Sequence, residues 1–229
     1  MSENKIRVAI LEDHQTTVDG YIFRLSNLPN IEVVATASFG NELEALTSKH
    51  EIDILLLDVS VPTSAKNPNP YPILHIIPKL LLTHTELAVL VISMHNQRTL
   101  IKSVMEAGAS GYILKDDRES IIKLGEIVAS VANGGIYFSH ESYRLISGQL
   151  EKEAPSLTLR QQEVLSLCTA HPNLTTAEIA HKLNIAPSTV RNLLSDTYIR
   201  LKVRNRSAAI SKARGLGLIT PFTPESDSK

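Results

Sequence analysis

The stretch Ile52-Asp53-Ile54-Leu55-Leu56-Leu57-Asp58 decides the fold. It runs almost unbroken in apolar residues to Leu57 and then stops at an acid. A half-solvated strand alternates polar and apolar residues, whereas a strand buried on both faces does not. Continuous burial of this kind belongs to parallel sheets covered by helices on both sides. The same unit recurs outward in both directions. Upstream, the apolar run Ile6–Leu11 ends in Glu12-Asp13, and a helix follows over Thr16–Leu28 with Val18, Ile22 and Leu25 on one face. The β-branched strand Ile31–Ala37 and a short helix Asn41–Ser48 complete that side. Downstream come a helix near Ile73–Leu82, a strand Ala88–Ile92 ending at Ser93, and a helix Gln97–Ala107. The strand Gly111–Leu114 then ends at Lys115, and a helix spans Arg118–Val131. Five strand–helix units joined by right-handed crossovers predict a doubly wound α/β domain, with a five-stranded parallel sheet, over residues 1–133.

In such folds ligands lie beyond the carboxyl ends of the strands. Glu12, Asp13, Asp58, Ser93 and Lys115 all stand at those ends, so one topological rule gathers five chemically useful side chains into one crevice. Three carboxylates about 5 Å apart repel by roughly 3 kcal/mol per pair at an effective dielectric near 20. A proton or a cation must therefore enter. Acids with no His or Cys among them suit a hard cation, and Mg²⁺ is the expected cofactor. Beside Mg²⁺ a carboxylate can attack phosphorus and become an acyl phosphate. Lys115 then adds positive charge on the phosphoryl oxygens, and the Ser93 hydroxyl adds a hydrogen bond.

The remainder of the chain has a different character. Gly134-Gly135 ends the last helix, and residues 134–154 are read as a linker: Ile136–Phe138, a polar helical segment His140–Leu150, and the charged boundary Glu151–Pro155. Residues 155–220 form a smaller all-α domain. Thr158 with Gln161 and Thr175 with Glu178 are capping boxes. Ile179, Ala180, Leu183 and Ile185 suit a tight two-helix corner, and Pro187 suits the first turn of the next helix. There Val190, Leu194 and Leu201 share a core face, while Arg191, Asn192 and Ser195 share another, suited to the major groove. Thr189, Lys202, Arg204 and Arg206 suit phosphates. Residues 1–154 carry a net charge of −6 and residues 155–229 one of +5, within a total of −1. An acidic part joined to a basic part points to DNA as the partner of the second. The tail 221–229 is rich in Ser, Pro and acids and is expected to be disordered.

The motifs Leu11-Glu12-Asp13-His14, Leu55-Leu56-Leu57-Asp58, Val91-Ile92-Ser93-Met94-His95 and Ala107–Lys115 resemble the receiver domain of two-component response regulators, a flavodoxin-like fold. Leu157–Leu165, Thr176–Ile185, Ser188–Asn192 and Lys202–Arg206 resemble the LuxR-type helix-turn-helix of the NarL/FixJ family. The resemblance implies that Asp58 accepts phosphate from a sensor histidine kinase. It implies that Asp13, Asp58 and the Ser60 carbonyl ligate Mg²⁺, with Glu12 acting through water. It further implies that Ser93 and Tyr112 form a switch pair, and that the protein is a transcription factor that acts on promoter DNA as a homodimer once phosphorylated. Two departures stand out. Val61-Pro62 and then Thr63–Pro72, with three further prolines and no glycine, replace the shorter segment usual after the phosphoacceptor. A regulator that works without phosphorylation, locked in one state by this loop, is the alternative. In the second domain, Ala186 stands where a capping Ser is usual.

Several classes are excluded at this stage. A dedicated phosphatase would want a second acid two residues after Asp58, where Ser60 stands, so no enzyme is expected. Cys168 is the single cysteine, so no internal disulfide forms; an apolar helical stretch surrounds it, which suits a small core residue. No apolar run nears the roughly 20 residues that span a bilayer. A soluble, cytoplasmic protein is expected.

Overall fold

The computed structural model describes residues 5–147 and 156–221. The first segment builds β1 (Ile6–Leu11), α1 (Gln15–Ser26), β2 (Ile31–Ala37), α2 (Leu43–Lys49), β3 (Ile54–Leu57), the pair β4 (Pro62–Ser64) and β5 (Asn67–Pro70), and α3 (Ile73–Thr83). There follow β6 (Ala88–Ser93), α4 (Arg98–Glu106), β7 (Gly111–Leu114), α5 (Arg118–Ile122), α6 (Leu124–Ala132), β8 (Tyr137–Phe138) and α7 (His140–Ser147). The second segment is helical: α8 (Leu159–Ala170), α9 (Thr176–Leu183), α10 (Pro187–Leu201) and α11 (Arg206–Gly215).

Among the described residues the main sheet has strand order β2-β1-β3-β6-β7-β8, and every neighbouring pair is parallel. Burial explains the unbroken apolar strands. Leu11, Leu55, Leu57, Val89 and Val91 face a core closed by α2, α3 and α4. Val8, Ile10, Ile54, Leu56, Leu90 and Ile92 face a second core closed by α1 and α6. With both faces covered, these central strand positions leave no place for a polar residue. The chain reverses direction across the sheet between β1 and β3, so the crevice opens beyond Leu11 and Leu57.

Three expectations are corrected. The sheet has six strands, not five, because Tyr137–Phe138, read as linker, pairs with β7 in the register Gly111↔Tyr137 and Tyr112↔Phe138. Without it β7 would be an edge with open amides and carbonyls; Tyr137 N donates to Ser110 O at 3.1 Å and Ser139 N to Tyr112 O at 3.0 Å. The assigned linker 134–154 thus begins as part of the first domain. The stretch Thr63–Pro72 is not an open loop but holds the antiparallel β4–β5 pair, Pro62 opposite Pro70 and Ser64 opposite Asn67. The helix expected over Arg118–Val131 breaks at Lys123, whose φ −89° and ψ 15° interrupt it. The charged boundary Glu151–Pro155 and nearly all of the tail expected to be disordered lie outside the described residues.

The helical segment has its own core, which includes Val164, Leu165, Cys168, Ile179, Val190 and Leu201. Both capping boxes are formed: Thr158 Oγ1 accepts from Gln161 N at 3.3 Å and Thr175 Oγ1 from Glu178 N at 3.3 Å, and each acid or amide reaches back to its cap. α9 ends at Asn184 in the left-handed conformation, φ 52°, a role Asn tolerates. Ala186 gives α10 no side-chain cap, as its sequence implied.

Candidate functional site

The crevice beyond the strands brings three of the five expected residues, Glu12, Asp58 and Lys115, into direct contact. Lys115, next after β7, places Nζ 2.6 Å from Glu12 Oε2 and 2.9 Å from Asp58 Oδ2. Glu12 and Asp58 are almost wholly buried, and the Lys115 side chain is 14% exposed. Burial pushes the Glu12 carboxyl above its usual range, the nearby Asp58 charge adds to this, and Lys115 opposes both. Burial would lower the Lys115 pKa, but Asp58 and Glu12 outweigh it and raise it, so the ammonium is firmly held. One cation thus faces two buried carboxylates, with Asp13 at the rim. Glu12 and Asp13 form an acidic cluster of a kind that suits a divalent ion, while Asp58 lies against Lys115.

Ser93, the last residue of β6, is fully buried; its Oγ accepts from His95 N at 3.2 Å. Tyr112 on β7 is also fully buried, and its hydroxyl donates to the His95 carbonyl at 2.7 Å. Burial pushes the Tyr112 hydroxyl well above the usual range, so it stays a donor. Tyr112 therefore already points inward. Its own carbonyl is held by Ser139 N and by Ser142 Oγ at 3.0 Å, which ties β8 and α7 to this strand. Ser60 N donates to Asp58 Oδ1 at 3.2 Å, and the Ser60 hydroxyl lies 2.9 Å from His95 Nε2.

Two histidines were missed as site residues although both stood in quoted motifs. His14 Nδ1 lies 3.0 Å from Glu12 Oε1 and 3.0 Å from Asp13 Oδ1, and these three residues form a set of potential ligand atoms within 4.8 Å. The expectation of acids without a neighbouring His is therefore corrected. His95 closes over the site from the β6 side. Its position two residues beyond a strand-end Ser was the available signal, since such a residue sits on the same crevice wall.

The helical domain presents Thr189, Arg191, Asn192, Ser195, Lys202 and Arg204 as exposed side chains on or just after α10, while Val190 and Leu194 face inward as expected. Arg206 differs from its expected role. It is half-buried, and its Nη1 donates to the Leu174 carbonyl at 2.9 Å, which fastens the α8–α9 turn rather than leaving the guanidinium wholly available to phosphate.

A family model described as a response regulator receiver domain matches residues 8–125, and one described as bacterial regulatory proteins, luxR family, matches residues 155–213. The chain is a response regulator with a LuxR-type helix-turn-helix. This regulator is 29% identical over 232 residues to the transcriptional regulatory protein DegU of Brevibacillus brevis, covering 92% of this chain and 93% of DegU. It is 30% identical over 217 residues to LnrK of Bacillus subtilis strain 168, covering 89% and 94%. Among solved structures, RcsB of Salmonella enterica serovar Typhimurium is similar with a TM-score of 0.63 at 20% identity, covering 91% of the regulator and 98% of that chain. The likeness agrees with the two-domain architecture. No helix among the described residues is long and apolar enough to cross a membrane.

Proposed function

We infer that this transcriptional regulator is switched by phosphorylation of Asp58 by a sensor histidine kinase. The observation that carries the reading is Lys115 Nζ within 2.9 Å of both Glu12 and Asp58, all three at strand ends and nearly buried. An Asp58 oxygen bonds to phosphorus as the bond from phosphorus to the kinase's histidine nitrogen breaks. Lys115 is within reach of the entering phosphoryl oxygens and offsets their charge. The Ser93 hydroxyl accepts from His95 N and keeps its own proton to donate to the new group. Asp13, Asp58 and the Ser60 carbonyl, with Glu12 beside them, would hold Mg²⁺, which would supply charge neutralisation between the two anions. Ser93 and Tyr112 relay occupancy of the site toward α4 and β7. The regulator accepts a phosphoryl group without being a dedicated enzyme, and it acts in the cytoplasm.

The output is operator binding. Arg191 and Asn192 offer paired hydrogen bonds to guanine and adenine edges, Ser195 reads beside them, and Thr189, Lys202 and Arg204 hold phosphates. The solved RcsB was bound to the promoter rprA in the presence of the phosphomimetic BeF3⁻. Another solved RcsB is recorded as dimers on DNA, and by that likeness this regulator binds promoter DNA as a homodimer on two half-sites. The test is labelling of the full chain with a small phosphodonor and Mg²⁺. Wild type is expected to gain an acid-labile phosphoryl group and Asp58→Asn to gain none; undiminished labelling of the variant overturns the assignment.

A further inference from the structure

The proline-rich insertion after Asp58 has no part in the site just described, yet it is firmly placed. On its inner side Tyr71 packs on Gly40 so closely that a Cβ there would fall 1.9 Å from the tyrosine ring. Inside the hairpin the Thr63 hydroxyl donates to the Asn69 carbonyl at 2.8 Å. The Asn67 side-chain oxygen accepts from Asn69 N at 3.2 Å and from Asn69 Nδ2 at 2.7 Å, which fixes the direction of its amide. That amide, at Nδ2, donates at 2.8 Å to the carbonyl of Ala170, the last residue of α8 in the helical domain. The open carbonyls at a helix end need outside donors, and here the receiver provides one.

Two further contacts grip the same helix. His75 on α3 is buried with Nδ1 2.6 Å from Glu163 Oε1 on α8, and Glu163 also holds Arg160 at 2.6 Å. Gln162 Nε2 reaches the Ser103 hydroxyl on α4 at 3.3 Å. At the far end of the domain Gly217, at φ +66°, lies against Gln97, Thr99 and Leu100, and the Thr99 hydroxyl donates to the Leu216 carbonyl. The joint is polar and incompletely packed. Gln162 Oε1 and Ser166 Oγ on α8 are buried without a hydrogen-bond partner among the described residues, and an open groove on the helical domain, past Cys168 and Ser211, reaches the joint at Asn69. Buried unpaired polar atoms regain water on separation, so parting such a joint costs less than parting an apolar one. Two of the three contacts on α8, those of Asn67 and Ser103, lie on segments that start at the acidic crevice. The hairpin begins four residues after Asp58, and α4 follows the β6 end whose His95 meets Ser60. None of Thr189, Arg191, Asn192 and Ser195 is covered; all are exposed.

We propose that the β4–β5 hairpin and His75 form a clasp that holds the helical domain by α8, with its DNA-reading face open, and that phosphorylation of Asp58 releases it. The release rests on the phosphoacceptor reading; the clasp itself does not. The occupant of the clasp is this chain's own α8, its C-terminal carbonyl bound by the hairpin's Asn67 and its Glu163 by His75 on α3. Release frees α8 and the Leu216–Gly217 turn rather than the recognition helix, so the clasp governs how two helical domains can be brought together and not whether one of them can touch DNA.

The test is backbone amide NMR on the full chain, comparing wild type with Asn67→Ala/His75→Ala, each with and without a small phosphodonor and Mg²⁺. The double variant is expected to shift the α8 amides and to change the helical domain from tumbling with the receiver to tumbling separately. Phosphorylated wild type is expected to move the same amides the same way. Asn67 is half-buried on a surface turn, so Asn67→Ala alone carries the test, with smaller shifts at the α8 C-terminus, should the His75 change disturb the receiver. Unmoved α8 amides in folded variants overturn the clasp. A labelled Asp58 with α8 still docked overturns its release by phosphate. Failure of labelling itself would instead fault the phosphoacceptor, with the clasp judged on the variants.

Discussion

Lys202 has two jobs that pull in opposite directions. It ends α10 in the left-handed region, φ 52°, ψ 50°, where its backbone N–H caps the helix by donating to the Ile199 and Tyr198 carbonyls. A Cβ in that conformation costs about 1 kcal/mol, which glycine would avoid. Its exposed ammonium, meanwhile, stands beside the proposed phosphate-binding face. Lys202→Gly is therefore expected to raise the stability of the helical domain by about 0.5–1 kcal/mol while lowering the log–log salt slope of DNA binding by about 1. Thermal melts and salt titrations of DNA binding read the two separately, and a slope equal to wild type removes Lys202 from the phosphate contacts. At this scale the site was legible wherever a side chain ends a strand. Glu12, Asp58, Ser93 and Lys115 were found because strand termini fix direction as well as position. His75 was not, since its partner Glu163 is 88 positions away along the chain, and no periodicity reports such a meeting.

Elements are joined by ties of known strength, and that between β1 and β3 is open to pH. Arg7 grips Asp53 through Nη2 at 2.7 Å and Nε at 3.0 Å, while its backbone N–H donates to the same carboxylate at 2.7 Å. The Arg7 guanidinium's hydrogen bonds hold the Asp53 carboxyl below its usual range despite partial burial. A depressed carboxylate pKa contributes stability that is complete above the unfolded value and is lost as pH falls through the folded one. Both side chains are about one-third exposed, so solvent screening limits the tie to about 1 kcal/mol. Asp53→Asn is expected to lose that amount in urea denaturation at neutral pH, with the deficit shrinking toward zero below the ordinary carboxylate range. A deficit independent of pH would mean that the geometry, not the charge, is what matters. Element limits were legible in proportion to length and burial. Ile6–Leu11, Ile31–Ala37 and Gly111–Leu114 are strands with the limits read from the sequence. Tyr137–Phe138 escaped because two residues show no period, and the β4–β5 pair because its three prolines argue against a strand, although a short isolated two-stranded ladder, with Pro62 opposite Pro70 at one end, admits them.

The whole molecule sets an acidic receiver against a basic reader and joins them along α8 without covering the residues proposed to read DNA. An arrangement with an open reading face cannot be switched by uncovering it. What phosphorylation can change is the freedom of two helical domains to align on neighbouring half-sites, a gain that appears only when both sites are present. On a duplex carrying one half-site, affinity with and without phosphodonor is therefore expected to agree within about threefold, which is less than 1 kcal/mol. On a duplex carrying two half-sites one helical turn apart, phosphorylation is expected to tighten binding by about tenfold or more. Anisotropy titrations at one fixed salt concentration measure both, since salt alone moves such affinities by orders of magnitude. A large phosphorylation gain on the single half-site would mean that the receiver shields α10 in solution. The open face described here would then be the released form of the molecule, and the clasp on α8 would have to survive phosphorylation.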